Sequence, residues 1–196
     1  MKKKRKKEID EEEFYSDSWM YILLLATTTI LAYSLSTYTF PLFGVRLTYS
    51  LVLLPVIFFI SNYITKRYGY EKAITGISVS CISMVLFVII MNAIFGKVTI
   101  ITAFAGHFCG LVAAHFINLL VYYFIIQNTN SPYYLILANY IVAILMFYLF
   151  HTLINLNIII YQDFWKIHYL KLFIEALISV VLAYIDQGIK KGKPME

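Results

Sequence analysis

Val98-Thr-Ile-Ile-Thr-Ala-Phe-Ala-Gly-His107-Phe-Cys-Gly110-Leu-Val-Ala-Ala-His115-Phe-Ile-Asn118-Leu-Leu-Val-Tyr-Tyr-Phe-Ile-Ile126 runs from end to end without an Asp, Glu, Lys or Arg. A helix rises about 1.5 Å per residue and needs about 20 apolar residues to cross a bilayer, so this stretch is long enough to span one. Five more long, mostly apolar runs fill the chain: Trp19–Phe40, Arg46–Thr65, Lys72–Phe95, Ser131–Ile160 and His168–Gln187. With 61% hydrophobic residues, 14% charged residues and a mean hydropathy of +0.75, the 196-residue composition argues against a water-soluble core. The runs are continuously apolar rather than alternating, which argues against a membrane barrel. The expected fold class is an all-α, polytopic, six-helix integral membrane protein. Residues 19–187 form its transmembrane domain, between a charged and disordered tail (1–18) and a basic tail (188–196).

The basic residues give the orientation. Lys2, Lys3, Lys4, Arg5, Lys6 and Lys7 precede the first run, Lys66, Arg67 and Lys72 fall between the second and third, and Lys190, Lys191 and Lys193 follow the sixth. Six crossings put all of these on one side and leave Arg46, Lys97, Lys166 and Lys171 for the other, out of 16 Lys and Arg. Under the positive-inside rule both termini are cytoplasmic, in a multi-pass protein of the inner (plasma) membrane. The net charge of +5 then follows from topology and contact with anionic lipid, and calls for no nucleic-acid partner.

Little chain is left for chemistry outside the bilayer. No small-residue cleavage site ends Trp19–Phe40, which reads as a retained signal anchor leading into a turn at Phe40-Pro41. Cys81 and Cys109 both lie inside runs, with no extramembrane pair to oxidise, and serve as small apolar fillers. No phosphate-cradling Gly-rich motif occurs, so any ATP-driven step needs another subunit. No Ser-His-Asp or paired-carboxylate constellation is present, and the chain is expected not to be an enzyme.

The polar residues inside the runs carry the rest. At 100° per residue, His107, Leu111, His115 and Asn118 fall within about 80° of one another on the fourth helix. Gly106, Gly110 and Ala114 form an adjacent stripe of small residues, where another helix can approach closely. A packing seam beside a polar seam suggests imidazoles facing a cavity. The second run adds Asn62, and the fifth adds Asn139, His151 and Asn155, the last two on one face. Asn and His can also be interhelical hydrogen-bond glue, worth about 0.6 to 2 kcal/mol. Tyr122, Tyr123, Tyr133 and Tyr134 read most simply as interface-belt aromatics. A metal site is not expected. Only Glu175 lies clearly inside a run, Asp163 and Asp186 sit near ends, and His107 and His115 are more than about 10 Å apart along the axis.

The second and third runs carry a family likeness. Pro55-Val-Ile-Phe-Phe-Ile-Ser-Asn62-Tyr-Ile-Thr-Lys66-Arg-Tyr68-Gly69-Tyr-Glu-Lys-Ala73 resembles the signature of the vitamin uptake transporter family of queuosine precursor transporters. In that family a Pro-led helix carries Asp, then Glu four residues on, then Tyr-Gly and a basic, Ala-containing stretch. His115 and Asn118 keep the spacing of a Gln and an Asp in the family's fourth helix. His151-Thr152 stands where its fifth helix has Asp-Thr, and Lys171 and Tyr184 also resemble family positions. The family's acids are thus replaced here by Asn62, Lys66, Asn118 and His151, and its Gln by His115. Gly69 is expected to supply a turn that other residues resist.

The resemblance implies import of a small, flat, polar heterocycle of the deazaguanine class, with Asn62, His115, Asn118 and His151 as the substrate-binding residues. Asn and neutral His offer donors and acceptors to a purine-like edge, and Tyr and Phe can stack on its face. The expected partners are a small-molecule substrate and the lipid bilayer, with homo-oligomerisation left open and no cofactor. Two alternatives stand beside this: the membrane subunit of an ATP-driven vitamin importer, and a small structural scaffold of the cell envelope that uses its polar seam only for packing.

Overall fold

The structure, a computed structural model, describes residues 2–95, 100–127, 133–154 and 164–189. Along the chain they form α1 (Lys2–Leu35), β1 (Thr39–Leu42), β2 (Val45–Thr48), a 3-10 turn (Tyr49–Val52), α2 (Leu53–Tyr68), α3 (Tyr70–Phe95), α4 (Ile100–Gln127), α5 (Tyr133–Ile154) and α6 (Phe164–Gly188). Five segments among these residues are long and apolar enough to cross a membrane: Ser16–Leu35, Tyr49–Tyr68, Tyr70–Phe95, Phe104–Gln127 and Tyr133–Ile154. The sixth helix, α6, carries Lys171, Glu175 and Asp186 and is less uniformly apolar, but it packs on α2 and α5 as part of the bundle. The protein is an all-α, multi-pass membrane protein.

Its exterior, unlike that of a soluble domain, is as apolar as its core. Leu86, Ile89, Phe116, Phe124, Val181 and Tyr184 are among the large apolar side chains left exposed, while Asn62, Asn118, Asn139, His115, Glu175 and Asp186 are fully or almost fully buried. Lipid accepts the apolar surface, but it offers no hydrogen bonds, so polar groups turn inward. The hydroxyls of α1 solve the problem locally: Thr27, Thr28 and Thr29 each donate to the carbonyl four residues back at 2.7–2.8 Å. Asn and His have no such local partner and must find one on another helix.

Two local features place α2. Pro55 lies in the helix's first turn, where a missing N–H is tolerated. The helix stops at Gly69, whose φ of 95° is closed to most side chains, and its N–H still bonds the Thr65 carbonyl at 3.1 Å. Gly69 thus acts as the expected turn residue, and α3 begins immediately after it.

The structure corrects the sequence expectation in one place. The first and second runs do not extend to Phe40 and from Arg46 as helix. Residues 39–48 form an antiparallel hairpin pairing Thr39 with Thr48 and Leu42 with Val45. Phe43 and Gly44 both take positive φ (49° and 76°), the geometry of the tight two-residue turn that suits a hairpin's twist. Val45 and Leu47 point inward, and with Leu51 they pack on Leu170 and Ile174 of α6. The charged tail is not set apart from the first helix. Its backbone continues α1 back to Lys2. The tail after Ile189 lies outside the described residues.

Candidate functional site

Helix α4 organises the interior. Gly110 is the point of closest approach to α5: a Cβ there would sit 2.8 Å from the Phe147 carbonyl oxygen and 3.3 Å from the His151 nitrogen. Ala114 is fully buried one turn on. The small-residue stripe is therefore the packing seam expected of it, and it brings the neighbouring polar face of α4 deep into the bundle.

That face builds a chain of amides. Asn139 of α5 donates its Nδ2 to Asn118 Oδ1, and Asn118 donates its own Nδ2 to Asn62 Oδ1 on α2, both at 2.8 Å. Three helices are thus tied through three side chains that are at most 1% exposed. Phe58 and Asn62 are one turn apart on α2; Phe58 meets the His115 ring edge-on, at 5.5 Å between centroids, where Asn62 meets Asn118. His115 is fully buried, and neither of its ring nitrogens has a hydrogen-bond partner; Ser61 Oγ and Asn139 Oδ1 are open as well. Of the four expected site residues, the fold brings together Asn62, Asn118 and His115.

His151 stands elsewhere. It lies twelve residues beyond Asn139 on α5, about 18 Å along the axis. There it stacks on Phe147 at 5.8 Å and faces His107 at 6.3 Å, with Tyr33 of α1 edge-on to His107 at 5.5 Å. This aromatic and imidazole group is a separate cluster toward the opposite end of the bundle. No group of three His, Cys, Asp or Glu able to hold a metal occurs among the described residues. Asn155 lies outside them.

One turn beyond Asn118, the same face of α4 carries Tyr122. The belt position expected for it is overturned. Tyr122 is fully buried and donates to Asp186 Oδ1 at 2.6 Å. Tyr140 donates to Asp186 Oδ2 at 3.3 Å, and Lys66 Nζ meets Oδ1 at 3.4 Å while also donating to the Asp186 carbonyl. Tyr134, by contrast, is 66% exposed, as a belt residue would be. The sequence signal for Tyr122 was its periodicity: 100° per residue puts it on the face of His107, Leu111, His115 and Asn118. Asp186, two residues from the end of α6, gave no such signal.

The polar residues therefore form a column along α4, from His107 through His115 and Asn118 to Tyr122. His115, Asn118 and Tyr122 of this column are fully buried. A groove of about 240 Å³ between α5 and α6 is lined by Ile141, Ile144, Leu145, Leu172, Phe173 and Ala176. Comparison with known proteins returns no match: no protein-family model, no curated protein and no solved structure is similar to this chain.

Proposed function

We propose that this membrane protein is a transporter that imports a small, flat, polar heterocycle, most specifically a queuosine precursor of the deazaguanine class. The observation that carries the proposal is His115. A fully buried imidazole with both nitrogens unpartnered is costly, at about 1–3 kcal/mol for each stranded group, and it sits one turn from Asn118 and against Phe58. A heterocycle with donors and acceptors on its edge would satisfy His115, Ser61 Oγ and Asn139 Oδ1 together. The spacing of Pro55, Asn62, Lys66, Tyr68-Gly69 and Ala73, which resembles that of queuosine precursor transporters, supports the same class. In this account Asn62, His115 and Asn118 contact substrate, and His151, in its own cluster with His107, lines the route at the other end. The basic-residue bias supports a plasma-membrane protein with both termini cytoplasmic.

The amide chain favours a second reading. Asn62, Asn118 and Asn139 bond one another directly, as packing glue in a scaffold would. Complementation separates the two. The chain is expressed in cells that cannot make queuosine precursors, and tRNA queuosine is assayed with external precursor supplied. Rescue that is lost in His115→Ala supports transport; no rescue despite confirmed membrane insertion removes this substrate class.

A further inference from the structure

Two carboxylates are fully buried in the described bundle, and their surroundings differ. Asp186 is surrounded by donors: Tyr122 and Lys66 reach Oδ1 and Tyr140 reaches Oδ2, and Lys66 and Asp186 form an ion pair. Glu175, midway along α6, has no such complement. Tyr148 of α5 donates to Oε1 at 2.7 Å, and Oε2 is buried with no partner. Lys171, one turn back on α6, acts on it electrostatically without forming an ion-pair contact. The Ser179 hydroxyl, one turn forward, is spent on the Glu175 backbone carbonyl at 2.7 Å and not on the carboxyl. From α2, the 3-10 turn and β2, which also pack on α6, no titratable group among the described residues acts on it.

A structural carboxyl in this setting would be expected to have its acceptors filled, as those of Asp186 are, because an unpaired buried carboxylate oxygen is among the most costly groups to hold away from water. An ionisable side chain retained in the membrane interior with one oxygen left open is instead suited to gaining and losing a proton. The groove between α5 and α6 is lined by Leu172 and Ala176, on either side of Glu175 in sequence, and by Ile144 and Leu145, about one turn before Tyr148 on α5. It is apolar, so it offers the carboxyl no alternative hydrogen-bond partner.

We infer that Glu175 is the proton-binding site of this protein, taking a proton on Oε2 while Tyr148 holds Oε1, and that the proton it carries is the co-substrate of transport. The coupling part of this inference rests on the transport function proposed above; the proton site itself does not. The balance is simple: a proton from one aqueous side forms the Oε2–H bond, and that bond breaks to return the proton to the other side. No redox partner or other co-reactant is involved.

The test uses the full chain reconstituted in liposomes. Infrared difference spectra of the protonated carboxyl C=O stretch are recorded from about pH 5 to about pH 9, for the wild type and for the near-isosteric Glu175→Gln. A titrating band that is missing in Glu175→Gln is the expected result; a wild type with no such band overturns the proposal. Should Glu175→Gln fail to assemble, Tyr148→Phe, which keeps the carboxyl and removes its hydrogen bond, shifts the same band, and an unmoved band overturns the assignment. Uptake of labelled deazaguanine then tests coupling. An inward proton gradient should concentrate it in wild-type vesicles by about tenfold per pH unit at one proton per substrate, and Glu175→Gln should retain equilibration but lose accumulation. Equal gradient-driven accumulation in both overturns the proposal. A titrating Glu175 band in a protein that takes up no deazaguanine upholds the proton site and removes the substrate class instead.

Discussion

Replacing Asp186 by alanine should be among the most damaging single changes in the bundle. The carboxylate takes hydrogen bonds from Tyr122 and Tyr140 and pairs with Lys66, so its removal strands two phenol hydroxyls and leaves the Lys66 ammonium its bond to the Asp186 backbone carbonyl but no counter-charge. Breaking a buried ion pair from one side costs about 3–5 kcal/mol. Each stranded hydroxyl adds up to about 1–3 kcal/mol in a protein interior, although hydrogen bonds inside membrane proteins average nearer 0.6 kcal/mol. Lys66 is 11% exposed and lies two residues from the end of α2, so its ammonium can move toward the interface and recover part of the loss. The net expectation is about 3–5 kcal/mol for Asp186→Ala and about 1–3 kcal/mol for Asp186→Asn, which keeps an acceptor for Tyr122. Reversible unfolding in mixed micelles, titrated with a denaturing detergent, measures both. A double-mutant cycle with Lys66→Met should give a coupling above about 1 kcal/mol, because the two residues share one network. A coupling below about 0.5 kcal/mol, or an Asp186→Ala loss under about 1 kcal/mol, would refute the buried network as a source of stability.

The other expectations concern packing, hydrogen bonding and topology. Gly110→Leu should lower membrane abundance sharply, since even a Cβ meets the Phe147 carbonyl at 2.8 Å and overpacking of this kind costs about 1–3 kcal/mol or more; quantitative blotting of membrane fractions reads it. Tyr122→Phe should cost about 1–2 kcal/mol in the same unfolding assay, by removing the 2.6 Å bond to Asp186 without opening a cavity, whereas a belt tyrosine would lose almost nothing. Reporter fusions at Lys7 and Lys193 should both be cytoplasmic and a fusion at Lys97 external; opposite locations for the two termini would mean an odd number of crossings.

The membrane class and helix content were legible because a span is a long, continuous signal. The apolar run of α4 needed no partner to be recognised, and neither did the seam at Gly110. Asn62, Asn118 and His115 were legible as candidates because polar groups are rare in such runs, and the fold does gather these three. His151 shares that rarity and resembles a family position, but distance along α5 separates it from the other three. The hairpin at residues 39–48 was missed because its Thr, Phe, Leu and Val are as apolar as a helix, so that only Pro41 and Gly44 marked the change. Asp186 and Lys66 were missed for a different reason. A residue near a helix end looks exposed in sequence, and Lys66 was counted as a topogenic charge. Their pairing, 120 positions apart, exists only once α2 and α6 are packed.

The most direct test of the central claim, that the polar column of α4 binds a substrate, is equilibrium binding of labelled deazaguanine to the purified protein in lipid nanodiscs. Wild type should bind saturably, and His115→Ala and Asn118→Ala should lose at least about tenfold in affinity, equivalent to about 1.4 kcal/mol, while remaining assembled as monodisperse protein. Unchanged affinity in His115→Ala, or loss of assembly in both variants to the degree seen in Gly110→Leu, would contradict it and leave the column as packing glue.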